Sequence, residues 1–137
     1  METTKVIGQT KDAGFEVGVR KTFPVSVEQA WDFLFSDQGF SIWLGGIKPD
    51  AFDINQNYKT EEGTEGKLTI FKPYSHTRLT WRKRNWDNTS TLQLRVINAK
   101  GKATVSFHQE KLQGSKQRDE MKAHWDKVIA QIGTYLN

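Results

Sequence analysis

The last stretch of the sequence, SKQRDEMKAHWDKVIAQIGTYLN (residues 115–137), carries the pattern that decides the fold. Its apolar side chains recur every three or four residues, a spacing that places them on one face of a helix. The stripe consists of Met121, Trp125, Val128, Ile129, Ile132, Tyr135 and Leu136. Ser115 is the predicted N-cap of this helix. About twenty residues at roughly 1.5 Å each give about 30 Å, enough to cross a whole sheet.

A matching apolar surface is predicted in residues 58–112, where short alternating segments are separated by turn residues and form antiparallel hairpins. Alternation places Leu68, Ile70, Leu79, Trp81, Leu92, Leu94, Val96, Ala103, Val105 and Phe107 on one face. The opposite, polar face receives Arg78, Arg82, Arg84, Gln93, Arg95, Thr104, Ser106 and His108. The apolar face is the surface that the last helix needs to bury its stripe.

Upstream of this region the sequence predicts one strand and two short helices. Residues 15–20 alternate between apolar and polar side chains, and Ser26 with Gln29 forms a capping box in front of a helix over residues 27–35. A second helical segment over residues 40–44 ends at the glycine pair 45–46. The predicted class is therefore α+β: an antiparallel sheet of about six strands with a long C-terminal helix, and two short helices after the first strand.

The length of 137 residues fits one domain over residues 1–137, with a loosely ordered N-terminal segment over about residues 1–13. The chain has no Cys, which excludes disulfides and thiolate zinc sites. No apolar run reaches the roughly 20 residues that a membrane helix needs. We therefore expect a cytoplasmic protein without membrane insertion.

The formal charge of +4 is concentrated in residues 72–84, which hold five basic side chains and no acidic one. Basic residues beside tryptophans are typical of a platform for single-stranded nucleic acid. Here alternation separates the two, because Trp81 points inward whereas Arg78, Arg82 and Arg84 point outward. We expect a solvated face and no nucleic-acid binding; the same basic face suits an acidic protein partner.

No catalytic or metal-binding set is visible in the sequence. The three histidines, His76, His108 and His124, lack the spacing of a metal motif, and no nucleophile elbow, phosphate-binding loop or dinucleotide fingerprint is present. We expect no metal, no cofactor and no catalytic residue. His124 lies at the edge of the apolar stripe, where it either lines a cavity or is half-solvated.

The five tryptophans allow two interpretations. Trp31, Trp81 and Trp125 face the predicted core, either as ordinary packing or as the lining of a pocket in which a buried indole N–H finds a polar partner. Trp43, just before the glycine pair, is the predicted gate at one end of such a pocket. Trp86 lies in a turn-like stretch and is expected to be exposed.

Several segments together resemble the START-like (SRPBCC, helix-grip) superfamily, in its branch of activators of the heat-shock protein 90 ATPase. They are RKTFPVSVEQAW (20–31), WLGG (43–46), RLTW (78–81), residues 90–109 and the helix around His124-Trp125. The resemblance covers residues 15–136, and it differs at His124, where the family commonly has Gly before the Trp. It implies a curved sheet that grips the last helix, often around a cavity for lipids, polyketides or other hydrophobic molecules, and no conserved catalytic set.

The first functional hypothesis is therefore a non-enzymatic carrier or sensor of a small hydrophobic molecule. Its predicted ligand-binding residues are Trp43, Leu68, Ile70, Leu79, Trp81, Leu94, Val105, Met121, His124 and Trp125. The alternative is a co-chaperone-like module that stimulates a heat-shock ATPase. An enzyme acting on a hydrophobic substrate is the third hypothesis, and it requires a polar cluster inside the cavity.

Overall fold

The alternating segments form one sheet, and the apolar stripe forms the long helix that covers it. The computed structural model describes residues 9–10, 14–47 and 52–137, so most of the predicted N-terminal segment lies outside the described residues. The elements in chain order are β1 (Gln9–Thr10), β2 (Gly14–Phe23), α1 (Val27–Leu34), α2 (Asp37–Trp43), β3 (Asn57–Lys59), β4 (Glu65–Lys72), β5 (His76–Trp81), β6 (Ser90–Ala99), β7 (Lys102–Leu112) and α3 (Ser115–Leu136).

The sheet is antiparallel throughout, with strand order β1-β2-β7-β6-β5-β4-β3. Strands β3 to β7 form a meander, and β2 closes it by pairing with β7. The predicted α+β class and element order are confirmed; the short β1 is an additional strand beside the six expected. Helix α3 packs on the face toward which the apolar side chains point, which we call the inner face.

The two short helices begin where side chains cap them. Ser26 and Gln29 form the predicted capping box, and α1 ends at Leu34, one residue earlier than expected. Helix α2 begins at Asp37 because the Ser36 hydroxyl accepts a hydrogen bond from the Gly39 N–H. It therefore starts three residues before the predicted segment.

Helix α3 buries the predicted stripe against the sheet. Its buried side chains include Met121, Trp125, Val128, Ile132 and Leu136. The prediction that Ser115 caps the helix is wrong. The cap position is Gly114, whose φ of 137° suits glycine alone, and Ser115 is the first helical residue.

A bulge in β4 corrects the predicted inner face. Leu68 pairs with Leu79, but Ile70 pairs with Arg78, so β4 contains one extra residue at this point. Directly paired residues share a face, and Ile70 therefore lies on the outer face with Arg78. Phe71 points inward in its place and packs against the rings of Trp31 and Phe35. The placement of Ile70 among the inner side chains is wrong.

Trp86 is also placed differently from the expectation, because only 8% of its surface is exposed. In the described part of the chain no helix is both long and apolar enough to cross a bilayer.

Candidate functional site

The predicted site residues on α2, β5 and α3 meet in one group of rings between the sheet and the last helix. We call this group the interior aromatic cluster: Trp43, Trp81, Phe107, His124 and Trp125. Trp125 stacks on Phe107 with centroids 4.6 Å apart, and its other neighbours are His124 at 4.5 Å and Trp81 at 5.4 Å. Trp43 approaches Phe107 at 6.2 Å from the side of α2. The cluster is therefore built from side chains that are far apart in the sequence.

Two of the buried indoles in the cluster have their N–H groups satisfied. Trp125 Nε1 donates to Gln109 Oε1 at 2.8 Å, and Gln109 Nε2 donates to the Ser90 hydroxyl at 2.8 Å. Ser90 in turn donates to the carbonyl of Trp81 at 2.8 Å. Trp43 Nε1 donates to the carbonyl of Leu34 at 2.8 Å. Buried polar groups are normally paired in this way.

The third buried indole is different, because Trp81 Nε1 has no hydrogen-bond partner among the described residues. The same holds for Nε2 of His124, whose ring lies 6.0 Å from that of Trp81 in an edge-on arrangement. An unpaired buried donor costs about 1–3 kcal/mol. Two neighbouring rings of the cluster thus each carry a buried nitrogen without a protein partner.

The surroundings keep the His124 ring neutral. Burial lowers its pKa to about 4, and the positive charge of Lys83 acts in the same direction. The backbone of Trp43 and the carboxylate of Glu120 oppose these effects without overcoming them. At neutral pH the imidazole is therefore uncharged, with one nitrogen that donates and one that accepts a hydrogen bond.

The other predicted wall residues line the same interior. Leu68, Leu79, Leu94, Val105 and Met121 are each no more than 1% exposed. Ile70 is not among them, because the β4 bulge turns it outward. Trp43 is fully buried and bonded through its indole N–H, so it is a packed core residue in this conformation, and its gating role stays a prediction.

Three residues of this region were missing from the predicted site: Phe107, Gln109 and Ser90. Alternation along β7 already placed Phe107 on the inner face, and continuing it by two residues places Gln109 there too. A glutamine in an otherwise apolar row was the available signal. Its partner Ser90 is identified only by the register of β5 and β6, which joins Ser90 to Trp81.

The basic run of the sequence lies mainly on the outer face and is partly neutralised. Arg78 pairs with Glu110 at 3.2 Å, and Lys83 reaches Glu120 of α3 at 2.6 Å. No three of His, Cys, Asp and Glu come together as a metal site would require, within residues 9–10, 14–47 and 52–137. A Ser–His contact joins Ser75 Oγ and His76 Nδ1 at 2.9 Å, but it lies in the β4–β5 turn, away from the aromatic cluster.

The sequence matches no protein-family model and no curated protein. Solved structures are similar over most of the chain. CalU16 from Micromonospora echinospora has a TM-score of 0.78 at 14% identity, over 93% of this chain and 79% of that one. DynU16, from the dynemicin biosynthetic locus, has a TM-score of 0.76 at 12% identity, over 88% of this chain but 46% of its own length.

An HSP90 activator from Plasmodium falciparum, PFC0360w, has a TM-score of 0.73 at 14% identity, over 90% of this chain and 96% of that one. Identities this low establish the fold and nothing finer. The layers, the element order and these similarities agree: the chain has the START-like helix-grip fold that these structures share.

Proposed function

We propose that the protein binds a small hydrophobic molecule between the inner face of the sheet and α3, beside Trp81 and His124, as a non-enzymatic carrier or sensor. The observation that supports this most directly is the unpaired N–H of Trp81, 2% exposed, within a cluster of aromatic rings. Apolar walls with a few polar groups are the usual composition of a small-molecule site.

The chemistry of the two nitrogens indicates what such a ligand carries. The indole of Trp81 only donates, so it requires an acceptor such as a hydroxyl or carbonyl oxygen. The neutral His124 offers either a donor or an acceptor at Nε2. A ligand with an aromatic or aliphatic body and one uncharged oxygen group fits both, whereas an ionic group would enter an environment that disfavours charge.

Room for the ligand has to come from movement of the side chains around the cluster, because the rings are in mutual contact. Met121 is fully buried in α3, one turn before Trp125, and its flexible thioether is the side chain best suited to repack. The site should therefore accept ligand bodies of various shapes and discriminate mainly by the oxygen group.

The test is a titration of the protein with matched naphthalene derivatives, followed by calorimetry and by tryptophan fluorescence. Trp81→Phe keeps a ring but removes the N–H, so it should weaken binding of 2-naphthol about fivefold to tenfold, equivalent to about 1–1.4 kcal/mol. The same change removes an unpaired donor but also leaves a smaller side chain in the core, so the free energy of unfolding of the free variant is measured beside the binding. The loss of affinity should be confined to the oxygen-bearing compounds of the series, whereas a structural defect would weaken the binding of every compound.

Trp86→Phe is the matched control, because Trp86 is buried outside the cluster, and it should leave binding unchanged. The proposal is wrong if no uncharged compound of the series binds saturably to the unmodified protein. It is also wrong if Trp81→Phe binds 2-naphthol as tightly as the parent.

A second candidate function is stimulation of a heat-shock ATPase, favoured by the whole-length similarity to the Plasmodium activator. The basic outer face would then meet an acidic surface of the partner. An ATPase assay with HSP90 and increasing amounts of this protein tests it. Stimulation that declines with Arg95→Glu supports the candidate, and unchanged ATPase activity at saturating protein rejects it.

A further inference from the structure

A second concave site lies outside the sheet–helix interior, between β3, the start of β4 and the segment that follows β5. It is a depression of about 200 Å³ lined by Lys59, Gly63, Glu65, Arg82, Lys83 and Arg84, with one further polar residue. Four of these side chains are basic and one is acidic. This concentration of positive charge is not explained by the proposed ligand site.

Arg82 is held in place by its neighbours. Its main chain exchanges two hydrogen bonds with Glu65, at 2.9 and 3.0 Å. Its Nε donates to the carbonyl of Trp86 at 2.7 Å, which fixes the plane of the guanidinium. The two terminal nitrogens of the guanidinium remain available for a ligand.

Arg84 is positioned by a glycine. Its guanidinium lies against Gly63, so closely that a Cβ atom at residue 63 would be only 2.7 Å from Arg84 Nε. Gly63 also has a φ of +92°, which other residues rarely adopt. The bare backbone at this turn thus gives the guanidinium its place at the wall of the depression.

The basic side chains differ in whether they are already neutralised. Lys83 is paired with Glu120 at 2.6 Å. Lys59, Arg82 and Arg84 have no carboxylate of a described residue within 4.0 Å. Glu65 is therefore the one acidic wall residue against three basic side chains that a ligand can use.

We infer that this depression binds a phosphate group through the guanidinium groups of Arg82 and Arg84 and the ammonium group of Lys59. A planar guanidinium presents two parallel N–H groups that match the oxygens of a phosphate, and Arg82, whose Nε is already bonded, loses little freedom on binding. Because the side chains are exposed, the affinity should be modest, with a dissociation constant on the order of 1 mM, and should fall with salt.

Backbone amide NMR shifts during a titration with inorganic phosphate, at low and constant ionic strength, test the inference. Saturable shifts are expected in residues 59–65 and 82–86, and chloride at the same ionic strength should not produce them. Arg84→Gln should weaken binding about threefold to fivefold. Glu65→Gln should strengthen it by a similar factor, a gain that damage to the fold would not produce.

Lys102→Gln is the control for a general loss of positive charge, since Lys102 begins β7 and does not line the depression, and it should leave phosphate affinity unchanged. Sedimentation with vesicles of phosphatidylcholine with and without phosphatidic acid separates a lipid phosphate from a free one. Arg84-dependent binding to either phosphate source supports the inference. Absence of binding to both overturns it, as does a Lys102→Gln effect equal to that of Arg84→Gln.

Discussion

The inner and outer faces of the sheet differ in whether a polar group needs a hydrogen-bond partner within the protein. On the inner face one row runs through Phe71, Thr77, Leu94 and Phe107. One residue along each strand, the outer face carries the row Lys72, His76, Arg95, Ser106 and Arg20. Three cationic side chains share this outer row because water screens their charges, whereas on the inner face a single unpaired N–H is costly.

This difference indicates which polar groups of the molecule are useful as evidence for a ligand. An outer polar atom without a protein partner is satisfied by solvent and signifies little. The unpaired nitrogens of Trp81 and His124 have no such alternative, so they are the better guide to a ligand. On the outer side only a preorganised group such as Arg82 carries comparable weight.

The largest expected difference in stability is between substitutions at two consecutive residues of β7, one on each face. Phe107→Ala removes a fully buried ring that stacks on Trp125 and should lower the free energy of unfolding by about 3–5 kcal/mol. Ser106→Ala, on the outer face, should change it by less than about 0.5 kcal/mol. Urea unfolding of both variants measures the contrast. Similar losses from the two would mean that the faces are misassigned.

The next comparison tests the β4 bulge. Phe71→Ala should cost about 2–4 kcal/mol because the ring packs against Trp31 and Phe35, whereas Ile70→Ala should cost about 1 kcal/mol or less. The same urea experiment applies, with Thr69→Ala as a neighbouring exposed control. A larger loss at Ile70 than at Phe71 would contradict the register that pairs Ile70 with Arg78.

These two pairs of variants also show how far local sequence patterns reach. Alternation assigns residues 92–96 and 103–107 to the correct faces because β6 and β7 are regular there. It fails at Ile70, where two adjacent apolar residues permit either face and the choice depends on the partner strand. It also fails at Trp86, which looks like a turn residue but is buried by distant parts of the chain.

Local pattern predicted that most of the proposed wall residues face the interior, with Ile70 as the exception, but it did not predict the hydrogen bonding of this region. The helical stripe and strand alternation identify Trp81, Met121 and Trp125 as neighbours. Which indole remains unpaired depends on Gln109 and on the pairing of β5 with β6, which no local pattern contains. The pairing of distant strands therefore determines which polar groups are hydrogen-bonded, whereas local pattern determines which side chains face the interior.

A pH effect on stability should distinguish the inner histidine from the rest of the chain. Because burial lowers the pKa of His124 to about 4, the unfolded chain binds this proton more readily than the folded one between about pH 4 and 6.5. The free energy of unfolding is therefore unaffected by the protonation of His124 above pH 6.5. As the pH falls toward 4, protonation of this residue in the unfolded chain lowers that free energy by about 2–3 kcal/mol in total.

Urea unfolding between pH 4 and 7 measures this dependence for the parent and for His124→Gln. The variant should lose less stability on acidification, because its side chain does not titrate. Above pH 6.5 the free energy of unfolding should depend on pH equally in the parent and in the variant. Parallel curves over the whole range would show that His124 does not become protonated on unfolding.

The smallest effect is expected on the outer face, at His76. Its pKa is lowered first by partial burial and then by the positive charges of Arg95 and Lys72, its neighbours in the outer row. Arg95→Gln removes the first of these charges, so the pKa of His76 should rise while the free energy of unfolding changes by less than about 0.5 kcal/mol. An NMR titration of the imidazole measures the pKa, and Lys102→Gln, at the far end of β7, should leave it unchanged. A pKa of His76 that is insensitive to Arg95 would mean that solvent screens the charges of the outer row from one another. The contrast with the half-buried His124 would then rest on desolvation alone.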